Sequence, residues 1–172
     1  MPEEGMASQR PPDQVAAGRA RLTQAAEEAG IPIGFRERMS NSRLALEAAE
    51  MAREQGKLHE FHTRVLKAYW VERQDIGEAS IVVALGMEAG LDGEALRQAL
   101  AERRYRPTVD ALVQEANELG IHAVPSFVFQ EKYLVQGAQP YEVFKQVMER
   151  YVLPEQRGEG AGEGAGEDAT AG

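Results

Sequence analysis

No cysteine occurs anywhere in the 172 residues. That excludes disulfides, thiolate metal sites and a cysteine nucleophile within this polypeptide. Positive charge is scarce as well. Lysine and arginine number 19 against 28 acids, and the net charge is −9. So acidic a chain makes a poor partner for nucleic acid or an anionic membrane, both of which call for a basic surface. Long apolar runs are missing, and none approaches the roughly 20 residues of a membrane span. No basic and apolar leader opens the sequence. These absences lead to a cytoplasmic protein as the expectation. Hydrophobic residues make up 43% of the chain, enough to bury a core in one ordinary domain.

Four segments follow from pattern. Residues 1–11 are polar, with Pro2 and Pro11 and then Pro12, and are expected to be loose. Residues 12–120 read as helices. Ala16–Ala29 has helix-forming composition and stops at Gly30. Asn41 or Ser42 can cap a second helix with Leu44, Ala48, Met51 and Ala52 on one face. Phe61, Val65, Leu66, Tyr69 and Trp70 mark a third, and Ile81, Val82, Leu85 and Met87 a fourth. Asp92 caps a short fifth, and Val109, Leu112, Val113, Ala116 and Leu119 form the stripe of a sixth. Over residues 121–153 the period changes. "SFVF" and "YLVQ" bracket the polar "QEK" and predict a hairpin, and Pro140 then opens a last helix. Residues 154–172 are glycine, alanine and acid without periodicity, with five acids against one arginine from Glu155 onward. They cannot bury enough apolar area to offset ordering and are expected to be disordered.

Few side chains suggest chemistry by themselves. His59 and His62 in "HEFH" are three apart, not the four of a zinc-protease helix, and read as surface residues. Tyr69 and Trp70 continue a packing stripe. "ERRYRP", residues 102–107, reads as a solvated helix end. Ser126 has no histidine placed to argue for a triad. Pro125 stands at the mouth of the "SFVF" strand, where it withholds one ladder donor.

Taken together, "NSRLALEAAEMA" (41–52), "FHTRVLKAYW" (61–70), "DIG" (75–77), "AGLD" (89–92), "ELGIHAVPSFVF" (118–129) and "GAQPYEVF" (137–144) resemble the DsbA-like thioredoxin family, in its FrnE-type branch of dithiol–disulfide oxidoreductases. "PEEGM" near the start resembles the stretch after the family's second strand. The resemblance implies an α/β thioredoxin-like fold with a large all-helical insertion, of which helices, one C-terminal β-hairpin and a closing helix remain. It implies that Pro125 is the family's cis-proline. The loop of His122, Ala123, Val124 and Pro125 would then receive an extended polypeptide or protein thiol substrate by backbone pairing. The family's Cys-x-x-Cys belongs to a strand–helix–strand unit placed before "PEEGM". This sequence lacks it, so the chain as given is expected to be truncated and inactive in redox chemistry. Two alternatives stand beside that reading: a non-catalytic peptide- or protein-binding module using the same loop, and a relative of the glutathione-dependent hydroxychromene carboxylate isomerases. No cofactor or metal is implied. An unpaired "SFVF" edge would also invite a second copy of the chain.

Overall fold

The computed structural model describes residues 5–156, which part into two compact units between Val113 and Gln114. The architecture is mostly helical with a C-terminal hairpin, as expected. The unit boundary falls inside a helix, ahead of the change of period at residue 121.

The first unit opens with strand β1 (Met6–Ala7), which pairs antiparallel with β2 (Arg38–Met39) in the register Met6↔Met39 and Ala7↔Arg38. Residues 6–7 are therefore not loose, as the polar composition suggested. A strand of two residues is too short to show an alternating pattern, and its partner lies some thirty residues away in sequence. Between them runs α1 (Pro12–Glu28), four residues longer at its start than expected, because Pro12 fits a first turn that needs no donor there.

The helices α2 (Arg43–Glu54), α3 (Leu58–Trp70), α4 (Ala79–Glu88) and α5 (Gly93–Ala101) hold the core, with Ile76, Leu91 and Tyr105 from the connections. The inner face of α2 is nearly all alanine (Ala45, Ala48, Ala49, Ala52) with Met51. Small side chains let neighbouring helices approach closely, and α2 packs on α3, α4 and α5. Phe61, Val82, Leu85 and Leu96 fill the centre at 2% exposure or less. Burying each such side chain stabilises by about 1.5–3 kcal/mol. Gly86 on α4 is there for space: a Cβ at that position would run into the side chain of Leu96. Asp92 caps α5, its Oδ1 accepting from the Ala95 N–H at 2.7 Å. At α2 the Asn41 Oδ1 accepts from the Arg43 N–H at 3.1 Å, while the Ser42 side chain makes no capping bond.

Helix α6 (Arg106–Glu118) crosses the division. Its sequence stripe promised one buried face, yet Val109 alone is buried, and Leu112, Val113 and Leu119 stay about half exposed. Periodicity shows that a face is apolar; it does not show that anything covers it.

The second unit contains β3 (Ser126–Phe129), β4 (Tyr133–Gln136), α7 (Tyr141–Val147), a π-turn at Met148–Val152 and α8 (Leu153–Gln156). The helical turn at 153–156 lies within the segment expected to be disordered from residue 154; the remainder of that acidic tail lies outside the described residues. β3 and β4 pair antiparallel from Ser126↔Gln136 to Phe129↔Tyr133. Phe127 and Phe129 lie against Phe144 of α7, with ring centroids 4.8 and 6.5 Å apart. Tyr133 meets Tyr151 at 5.1 Å. Among the described residues, no helix is long and apolar enough to cross a membrane.

Candidate functional site

The four residues singled out in the sequence, His122, Ala123, Val124 and Pro125, form one exposed loop between α6 and β3. Local bonds hold it at both ends. Gly120 ends α6 with φ +72°, a conformation that suits glycine. Its carbonyl accepts from the Gln136 side-chain amide at 2.9 Å. The Ser126 hydroxyl donates to the Ala123 carbonyl at 2.7 Å, and the Gly137 N–H donates to the Pro125 carbonyl at 2.7 Å. The Val124–Pro125 peptide bond is cis.

The bond from Gly137 to Pro125 sets the phase of the ladder. In an antiparallel pair, residues that exchange hydrogen bonds alternate with residues that do not. Pro125 and Gly137 are a bonded pair, as is therefore Phe127 with Val135. Ser126 and Val128 are the non-bonded positions, so their N–H and C=O groups turn away from β4. They point to the other edge of β3, which has no neighbouring strand among the described residues. The Val124 backbone N–H and C=O likewise have no partner among the described residues. Val124 is 90% exposed, more than any other large hydrophobic side chain described.

Behind this edge, the face carrying Phe127 and Phe129 is backed by Phe144. On the opposite face, Val128 and Leu134 are both exposed. The result is a loop with an exposed apolar side chain and unsatisfied backbone groups, continuing into a strand edge with the same deficit. Open edges of this kind are where strand addition occurs in proteins generally. The chain holds no thiol, and the Ser126 hydroxyl is committed to a carbonyl. His59 and His62 are exposed on α3, and no group of three or more metal-ligating side chains exists among the described residues.

One set of interacting residues escaped the sequence reading. "ERRYRP" is a solvated end only in part: Glu102, Arg104, Arg106 and Pro107 are exposed, but Arg103 and Tyr105 turn inward. Arg103, in a turn with φ +52°, reaches back to Glu47 of α2, which has no exposed surface. Its Nη2 lies 2.7 Å from Oε1 and its Nε 3.1 Å from Oε2. Tyr105 is buried and donates its hydroxyl to Glu54. Burial and then the Glu54 carboxylate raise the Tyr105 pKa above the usual phenol value. A glutamate at a position flanked by buried alanines was the only sequence signal of this pair.

Comparison with known proteins follows the same lines. Residues 1–149 match the family described as DSBA-like thioredoxin domain. The uncharacterized protein YwbO of Bacillus subtilis is 35% identical over 126 residues, covering 72% of this chain and 62% of that protein. The ClpXP adapter protein SpxH of Halalkalibacterium halodurans is 26% identical over 112 residues, covering 62% of this chain and 36% of the adapter. The chain thus spans less than two thirds of the length of these curated relatives. The crystal structure of a probable DsbA oxidoreductase from Streptomyces coelicolor superposes with a TM-score of 0.72 at 30% identity, covering 94% of this chain and 68% of that one.

Proposed function

The chain belongs to the DSBA-like thioredoxin domain family, and from that premise we propose that residues 122–125 are the polypeptide-receiving loop of a FrnE-type disulfide oxidoreductase. The observation that carries this reading is Val124: exposed, apolar, and with both backbone groups unpartnered at the head of an open strand edge. An extended substrate strand laid along that edge finds the N–H and C=O groups of Val124, Ser126 and Val128 at the two-residue spacing of its own backbone.

The polypeptide of this sequence performs no thiol–disulfide exchange itself. Exchange needs a thiolate to attack a disulfide sulfur, and residues 1–172 contain no sulfur beyond methionine. Binding and chemistry therefore separate cleanly in the test. This polypeptide should show no turnover in an insulin-reduction assay and should still bind a fluorescein-labelled extended peptide. Val124→Pro removes the exposed donor and should weaken that binding about 5-fold, the worth of one hydrogen bond near 1 kcal/mol. Insulin reduction by the cysteine-free polypeptide would overturn the statement that it performs no exchange itself. Unchanged peptide affinity in Val124→Pro would overturn the loop.

A second reading, a binding module without catalysis, is favoured by the adapter protein among the relatives. It predicts the same peptide affinity, and it differs in predicting that the affinity is retained for peptides without cysteine.

A further inference from the structure

We propose that the first unit carries an oxyanion-binding cleft, formed by Arg43, Arg103 and Arg106, for an organic acid: a carboxylate or phosphate on an apolar body. The site is independent of the loop at residues 122–125 and of the oxidoreductase reading.

The cleft has a volume of about 640 Å³. Its arginines come from three separate places: the first turn of α2, the turn after α5, and the start of α6. Leu44, Leu46 and Val113 supply an apolar part of the wall, and Leu46 and Val113 are each close to half exposed. An apolar body has somewhere to lie, and the guanidiniums have something to hold.

The internal pairing leaves room for a ligand. Arg43 and Arg106 share one carboxylate, Asp110, at 2.6 and 3.6 Å. The longer of these is beyond good hydrogen-bonding distance. The Asp110 side chain is 45% exposed and that of Arg106 60%, so water and salt weaken both pairs. Two guanidiniums offer forked donors to one half-exposed acceptor, in a chain whose net charge is −9. An incoming oxyanion can complete the fork of Arg106 and bridge to Arg43, as guanidiniums do with carboxylate and phosphate. Arg103 plays a different part. Held by the buried Glu47, whose carboxylate offsets its charge, it is a fixed wall and does not need to move.

The test uses the whole chain and three probes: benzoate, inorganic phosphate and the neutral benzamide. Binding is read from the arginine Nε–Hε signals in two-dimensional NMR and from calorimetry. Benzoate is expected to shift the Arg43 and Arg106 signals, with benzamide inert. Phosphate binding with benzoate silent would assign a phosphorylated ligand; benzoate binding with phosphate silent would assign a carboxylate. Arg43→Gln and Arg106→Gln should each weaken the bound anion about tenfold, the loss of one charge-assisted hydrogen bond. Asp110→Asn removes the internal competitor and should tighten binding several-fold, which a merely structural role for Asp110 would not do. The proposal falls if neither anion shifts these signals, if benzamide binds as well as benzoate, or if both glutamine variants bind unchanged.

Discussion

Replacing Arg103 by methionine strands a carboxylate. Glu47 has no exposed surface, and the guanidinium of Arg103 approaches both of its oxygens within 2.7–3.2 Å. Removing one partner of such a pair costs about 3–5 kcal/mol, because the remaining charge has lost both water and its counter-ion. Against a typical domain stability of about 5–15 kcal/mol, that is a large share. Urea titrations of the parent, Arg103→Met, Glu47→Leu and the double variant should give three outcomes. Both single variants unfold at clearly lower urea. The double variant recovers most of the loss, since replacing a buried pair by apolar groups is often neutral. The coupling energy is about 2 kcal/mol or more, and the cycle removes whatever else Arg103 touches. An Arg103→Met variant within about 1 kcal/mol of the parent, with no coupling, would refute the dependence of the buried Glu47 on Arg103.

Other consequences can be checked separately. Gly86→Ala improves helix propensity by about 1 kcal/mol but presses a methyl on Leu96, where overpacking costs about 1–3 kcal/mol; a melting temperature at or above the parent's would contradict that packing. Above pH about 10, where an unfolded tyrosine ionises and the folded Tyr105 stays neutral, the parent should lose stability more steeply than Tyr105→Phe in thermal melts; parallel curves would remove Tyr105 from the account. The hairpin turn places Gln130 and Glu131 at φ +51° and +59°, so Gln130→Asn with Glu131→Gly should stabilise the second unit by about 1–2 kcal/mol, visible as slower amide exchange in β3 and β4; faster exchange would count against the turn geometry. Val128→Pro removes an edge donor of β3 without touching its bonds to β4, and should lower self-association in sedimentation, while an unchanged association constant would exclude this edge as the contact between copies.

Legibility in the sequence followed the physics of each element. "SFVF" and "YLVQ" are β3 and β4 to the residue, because two β-prone runs around a polar break define their own limits. The loop residues 122–125 were singled out through a motif, and no periodicity would have marked them. The fold family was legible because several stretches agreed at fixed spacing. The turn itself was not: "QEK" lacks the asparagine and glycine that usually announce two left-handed residues. Arg103 was misread because composition cannot show that a left-handed residue turns its guanidinium inward to Glu47. The strands β1 and β2 are too short to carry any signal.

All eighteen side chains of the main apolar cluster, from Ala45 to Tyr105, lie in the first unit, and none comes from the hairpin or the loop before it. Substitutions at 122–125 therefore disturb almost nothing on which the helices depend. The loop and the helical core are separate structural problems, and an engineer can change the side chains of one while leaving the packing of the other alone.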